Sequence, residues 1–254
     1  MILAIDVGNT NIVIGGLSGE EIFFTARIST DKSKTADDYA AKLKNLLEIY
    51  HINCNRIEGS ILSTVVPALA TILSDAVEKI IGIRPLVVSS EMDTGVHLQM
   101  DNPKQTGADL LVDAAAVLHE YPQPTLFFDM GTATTVSAID EHGDYIGGMI
   151  IAGAELSLEA LSSGTAQLPH ISMDAPEKML GKNTIDCMKS GVIYGTAAMV
   201  DGIIQRAEEE MGQKLTVVAT GGIAKAIVPH CKRSIICDSN LTLKGLRILY
   251  ERNC

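Results

Sequence analysis

The chain has 254 residues, 46% hydrophobic and 20% charged, with a formal net charge of −11. That balance gives a globular chain with a sizeable core and excludes a disordered one; an acidic chain without a basic cluster also has no electrostatic grip on nucleic acid or an anionic membrane, which leaves small molecules as partners. No apolar run approaches the roughly 20 residues of a bilayer-spanning helix. The strand-like start "ILAIDV" has no basic lead or cleavage site, and five scattered cysteines without a C-x-x-C suit reduced thiols, so the chain reads as soluble and cytoplasmic.

In chain order, "LAIDVGNTNIVIGG" reads as strand, polar turn, strand, with the apolar run ending in Asp6 and the turn carried by Gly8, Asn9, Thr10 and Asn11. "EEIFFTARIS" continues as a strand. "TADDYAAKLKNLLEIY" predicts a helix opened by Thr35, with Asp38 completing a capping box and Tyr39, Leu43, Leu46, Leu47 and Tyr50 on one face. "SILSTVV" is a strand, Pro67 fits the first turn of the next helix, and "PLVVSS" is a short strand. A Gly-, Asp-, Asn- and Pro-bearing segment from Glu91 to Gly107, with the helix after it, separates the halves.

The second half repeats the plan. "LFFDMGTATTVSAI" matches the first hairpin, Asp129 and Gly131 standing where Asp6 and Gly8 stood, with Thr132, Thr134 and Thr135 after them. Strands at 125–129, 133–139 and 144–151 lead to helical "AELSLEALSSG", a long helix from about Thr184 to Met211, and strand "LTVVAT" before Gly221 and Gly222. A duplicated α/β protein fits, with halves at 1–117 and 118–254.

A tight turn between strands points successive backbone N–H groups to one side, and glycine admits a phosphate without a Cβ in the way. Aspartate at the strand end repels phosphate, so its useful role is to hold a cation, directly or through water. A single Asp-x-Gly turn is more simply a hairpin residue choice; two copies in matched strand contexts favour a polyphosphate site with its metal. "VVATGG" ends a buried-looking strand where backbone amides of Gly221 and Gly222 can meet a nucleotide. No G-x-x-x-x-G-K-[ST] string occurs, so a Walker-type site is not expected. The three elements in this order resemble the actin-like ATPase and sugar-kinase superfamily. That resemblance implies duplicated ribonuclease H-like domains, mixed sheets flanked by helices.

Between the halves, "NPKQTGADLLVDAAAV" places Asp109 in the first turn of a helix. It reads either as a helix-start carboxylate stabilised by the macrodipole or as a base that takes a proton from an attacking alcohol. Spacing does not choose between them. The segments "DVGNTN", "STVVP", "NPKQTGAD", "DMGTATT", "GGMIIAG", "SLEAL", "GKNT" and "SGVIYGTAAMVDG" together resemble a type III pantothenate kinase nearly end to end.

The resemblance implies phosphorylation of pantothenate by ATP, the first step towards coenzyme A, in a homodimer that uses Mg2+ and a monovalent cation, K+ or NH4+. It implies an ATP loop from Asp6 through Val7, Gly8, Asn9, Thr10, Asn11 and Ile12 to Val13, with Asp6 orienting Mg2+ through water. Thr132, Gly221 and Gly222 would meet the nucleotide, Asp129 would bind K+, and Asp109 would be the catalytic base. Met100, Gly107, Ala108, Asp109, Leu110 and Thr184 would stand at the pantothenate. Three positions depart from the family's usual pattern: Leu110 replaces an arginine, Met100 a tyrosine and Ala152 a proline. Leucine cannot supply an arginine's charge-assisted hydrogen bonds. The alternatives are therefore a related kinase with another hydroxyl substrate, or an ATP-binding regulatory protein without turnover.

Overall fold

The computed structural model describes residues 1–254. In chain order the elements are β1 (Ile2–Val7), β2 (Asn11–Ser18), β3 (Glu21–Ser29), α1 (Ala36–Ile49), β4 (Gly59–Thr64), α2 (Pro67–Ile81), β5 (Leu86–Val87), β6 (His97–Leu98) and α3 (Ala108–Glu120). There follow β7 (Thr125–Met130), β8 (Ala133–Ile139), β9 (Asp144–Ala152), α4 (Ala154–Gly164), α5 (Thr184–Met211), β10 (Thr216–Thr220), α6 (Ala224–Ile227), β11 (Ile236–Cys237) and α7 (Leu241–Asn253). They form two compact units. One comprises Met1–Val96, Asp101–His119 and Asn240–Cys254; the other comprises His97–Met100 and Glu120–Ser239. The units are discontinuous in sequence, so α7, which a linear division at 117/118 counts with the second half, packs in the first.

The first unit is built on a five-stranded sheet in the order β3-β2-β1-β4-β5. β1, β2 and β3 form an antiparallel meander, while β4 and β5 run parallel to β1 and to each other. Side chains alternate across β1. Leu3, Ile5 and Val7 join a core with α1 and α2, whereas Ala4, with Ile61 of β4, joins another with α3 and α7. A buried aliphatic side chain of this kind stabilises by roughly 1.5–3 kcal/mol over leaving it exposed.

Local signals agree with these layers. The Thr35 hydroxyl accepts from Asp38 N and the Asp38 carboxylate accepts from Thr35 N, the reciprocal box the sequence predicts. Tyr39, Leu43 and Leu47 of α1 are buried. Tyr50, one residue past the helix, is 40% exposed and stacks on Phe24 instead. Pro67 occupies the first turn of α2, where its missing N–H costs nothing.

The second unit has a six-stranded sheet in the order β11-β10-β7-β8-β9-β6. Without β6 it repeats the first sheet strand for strand: a meander of β7, β8 and β9, then β10 and β11 parallel to β7. Phe128, Met130 and Val136 pack with Leu158 of α4 and with Val192, Ile193, Val200 and Ile204 of α5. At the far end of α5, Glu208 is 8% exposed and accepts from Lys214 Nζ, Arg233 Nη2 and Leu215 N. Burial alone would raise its pKa, but these donors outweigh it and hold the carboxyl at about 2.

Candidate active site

Each sheet delivers an aspartate at the end of its first strand. In the first unit Asp6 is partly buried near the end of β1, and the chain turns through Gly8, Asn9 and Thr10 into β2. Gly8 N donates to Asn11 O at 2.9 Å, and Thr30 clamps the turn from β3's end, its hydroxyl donating to Gly8 O at 2.7 Å and its N–H to Thr10 O at 2.9 Å. A Cβ at Gly8 would stand 3.1 Å from Asn11 O, so the turn closes best on glycine. Asn9 and Thr10 are exposed, Asn11 and Val13 partly so; Val7 and Ile12 are wholly buried and belong to the scaffold.

Asp129 occupies the matching place in the second unit, in register with Thr135 of β8 and Thr220 of β10. Gly131 N closes this turn on Ala133 O at 3.0 Å, leaving Thr132 exposed. Two further glycines bring neighbouring backbone onto it. Gly153, the N-cap of α4, donates to Thr132 O at 3.1 Å, and a Cβ there would lie 2.3 Å from that oxygen and 2.4 Å from Gly131 O. The positive end of α4 thus abuts the turn, where it favours an anion. Gly221, at φ +92°, passes so close to β7 that a Cβ would stand 2.6 Å from Asp129 Oδ1 and 2.5 Å from Met130 O. The helix after Gly222 is a single turn, α6, continued by a 3-10 turn at Val228–His230.

Asp109 lies in the first turn of α3, on the first unit, partly buried. Desolvation pushes its carboxyl above the ordinary 3.8, against the lowering effect of the Leu110 N–H, which donates to Oδ1 at 2.9 Å, and of its own N–H. A carboxylate destabilised as an anion is a better proton acceptor than a surface one. Gly107 makes room for it: a Cβ there would be 2.5 Å from Asp109 Oδ1. Ala108 packs in the core shared by α3, α7 and the sheet, and Leu110 is partly buried. Asp109 and Asp6 therefore belong to one face of one sheet: Ala108 and Ala4 lie in that core, and Asp6 stands two residues beyond Ala4 on β1.

Met100, 38% exposed, follows β6 in the second unit. Thr184 is the exposed first residue of α5, whose N-cap Asn183 accepts from Asp186 N. It lines a groove of about 580 Å³ with Ile151, Ser157, Leu161, Gly191 and Gly195. Ala152, exposed at the end of β9, borders the same groove. Sequence reasoning missed the Gly153 contact, although "IIAGAE" placed a glycine at a strand-to-helix corner, where close approach is the ordinary reason for one.

No group of three or more His, Cys, Asp or Glu stands together as a metal cage. What the first turn offers is one carboxylate with oxygen and amide neighbours. That set fits Mg2+, which keeps several waters and is held by one or two carboxylates together with substrate phosphates. On the second unit the Asp129 carboxylate beside the Met130 carbonyl gives hard oxygen donors suited to a weakly held monovalent cation.

The profile of the type III pantothenate kinase family matches residues 2–206. The chain is 43% identical over 253 residues to the type III pantothenate kinase of Moorella thermoacetica, covering 100% of both chains, and 44% identical to that of Exiguobacterium sp., covering 100% of this chain and 99% of the other. Among solved structures it resembles component A of the (R)-2-hydroxyglutaryl-CoA dehydratase of Acidaminococcus fermentans, at a TM-score of 0.58 and 16% identity over 98% of this chain and 96% of that one. The activator of the 2-hydroxyisocaproyl-CoA dehydratase from Clostridium difficile, solved with bound ADPNP, has a TM-score of 0.57 at 16% identity over 98% and 93% of the two chains. These two establish the actin-like ATPase fold alone. With a profile that spans most of its length and relatives above 40% identity from end to end, the chain belongs to the type III pantothenate kinase family.

Proposed function

We propose that the protein transfers the γ-phosphoryl group of ATP to the primary hydroxyl of pantothenate, giving 4'-phosphopantothenate for coenzyme A synthesis in the cytoplasm. The observation that carries this reading is the Asp109 carboxylate, desolvated and fixed at the start of α3 on the sheet face that also bears Asp6. The hydroxyl oxygen attacks the γ-phosphorus, the bond from that phosphorus to the β–γ bridging oxygen breaks, and ADP leaves with the electron pair. The hydroxyl proton passes to Asp109 as the new P–O bond forms. Gly107 leaves the carboxylate its room, and the Gly8–Asn11 turn is assigned to the phosphates. Asp6 would hold Mg2+ through water, and Asp129 the K+ or NH4+ ion. These cations supply charge neutralisation on the transferring group, and no basic residue in either turn duplicates it.

Met100, Gly107, Ala108, Leu110 and Thr184 are assigned to the acceptor, and Thr132, Gly221 and Gly222 to the nucleotide. A second reading keeps the chemistry and changes the acceptor, because an apolar Leu110 offers nothing to a carboxylate. Coupled ADP release with ATP, Mg2+ and K+, with and without pantothenate, separates the two: stimulation that disappears in Asp109→Asn supports the first. ADP release only with other hydroxyl compounds supports the second, and ATP binding without any turnover overturns both. In Asp129→Ala, an unchanged K+ response sinks the cation assignment.

The homodimer belongs to the same reading. On the second unit Ile150 is 78% exposed, Leu180 82% and Leu156 44%. Gly191 and Gly195 of α5 have nothing facing them within 4 Å. A second copy would cover these groups; a monomeric mass by light scattering at micromolar concentration contradicts it.

A further inference from the structure

Ser63 lies near the end of β4 within "STVVP". It is 0% exposed, and its hydroxyl has no hydrogen-bond partner. A hydroxyl buried without a partner costs about 1–3 kcal/mol, so its surroundings call for an explanation. The neighbouring hydroxyl behaves differently: Thr64 Oγ1 accepts from Val66 N at 3.0 Å and donates to Val66 O at 3.1 Å, fixing the corner before Pro67.

Strand register gives Ser63 its direction. β1 and β4 are parallel, and Asp6 pairs with Ser63 as Ala4 pairs with Ile61. Ala4 and Ile61 both lie in the core formed with α3 and α7, so two residues further on Asp6 and Ser63 share that face. Adjacent strands are about 4.8 Å apart, which sets the two side chains side by side. Yet the hydroxyl makes no hydrogen bond to the Asp6 carboxylate or to anything else in the chain. A buried hydroxyl left without a protein partner beside a carboxylate is one that a bridging water would satisfy.

We infer that Ser63 is a positioning residue of the phosphoryl-transfer site: its hydroxyl holds, against Asp6, a water of the hydrated divalent cation that accompanies the nucleotide. This rests on the reading of Asp6 as the magnesium residue. Ser63 touches neither substrate nor metal. It orders a water that does, as hydrogen-bond partners behind metal ligands generally do.

Ser60 supplies the internal control. It is equally buried, at 1%, and equally unpartnered, but alternation along β4 turns it to the opposite face, with Leu62 and the core of α1 and α2. The experiment compares the parent, Ser63→Ala and Ser60→Ala by thermal melting in EDTA and by Mn2+ titration followed by electron paramagnetic resonance in the presence of ADP, where no turnover occurs. The expected result is that neither variant melts below the parent, while Ser63→Ala alone binds Mn2+ roughly 10-fold more weakly. In steady-state assays the Mg2+ concentration for half-maximal rate rises by the same factor, and the rate at saturating Mg2+ stays within a few-fold of the parent's. Equal Mn2+ affinity in the parent and Ser63→Ala overturns this inference and leaves the kinase reading standing. A parent that binds no Mn2+ with ADP overturns both. A weaker Mn2+ site in Ser60→Ala as well also refutes it, since the effect would then be one of strand packing rather than of the Asp6 face.

Discussion

Replacing Gly221 by alanine tests whether the second turn is built by close backbone approach. At φ +92° an L residue is strained, which costs about 1–2 kcal/mol. The added Cβ would also lie 2.5 Å from Met130 O and 2.6 Å from Met130 C. That carbonyl cannot easily move: Met130 is paired with Thr134 across β7 and β8, and its oxygen accepts from Ile223 N at 3.2 Å. Overpacking of this kind adds about 1–3 kcal/mol, for a total of about 2–5 kcal/mol. At about 2–4 °C per kcal/mol for a chain of this size, the melting temperature should fall by about 4–20 °C. Gly212→Ala isolates the conformational part, because Gly212 caps α5 at φ +70° with nothing within 4 Å. Urea and thermal unfolding of both variants measure the difference. If they cost the same within about 0.5 kcal/mol, the close approach contributes nothing and the reasoning fails. The K+ response of the folded Gly221→Ala fraction should weaken too, since the Asp129 carboxylate is the other group the Cβ would displace.

Three further outcomes follow from the same geometry. The acid limb of kcat/KM should inflect above the ordinary carboxylate value of 3.8, because burial raises Asp109; a limb at or below that value contradicts its assignment as the base. Gly107→Ala, with its Cβ 2.5 Å from Asp109 Oδ1, should lower kcat by about 10-fold or more while Mn2+ binding with ADP stays unchanged, and an unaltered kcat shows that the carboxylate has room to shift. Glu208 contributes stability above its unfolded value of 4.5 that is lost as pH falls towards about 2. Glu208→Gln should therefore destabilise the parent by about 1–3 kcal/mol at neutral pH and flatten the pH dependence of stability between those values, as followed by urea titrations. A variant that keeps the parent's acid dependence assigns that window to other carboxylates.

Much of the architecture was legible because its signals are local. The Thr35 box, Pro67 and the limits of α5 at Thr184 and Met211 depend on neighbours a few residues away, and the structure places them where the pattern does. The repeated Asp-x-Gly turns likewise announce two matched meanders, since alternation of apolar residues and a glycine turn suffice to form a hairpin. β6, two residues long, gave no periodicity to read; it exists only because His97 and Leu98 find an edge at Asp144 and Tyr145. α7 escaped a reading that followed the duplicated plan, and it sits on the first unit because Gly245 lets its backbone approach α3, a Cβ there lying 2.1 Å from Val112 O.

The site divides in the same way. The sequence by itself determined the chemical inventory: two strand-end aspartates with glycine turns, a third carboxylate at a helix start, no Walker lysine, and a family pattern that marks Leu110 and Met100 as departures. It could not separate Asp109 the helix-start residue from Asp109 the base, because desolvation is a property of what surrounds a carboxylate and not of its neighbours in the chain. Nor could "STVVP" show that one serine faces Asp6 and another, three residues earlier, faces a dry core. Cross-strand register and burial supply the desolvation of Asp109 and the facing of the two serines, since they are fixed only when strands distant in sequence pair and the helices close over them.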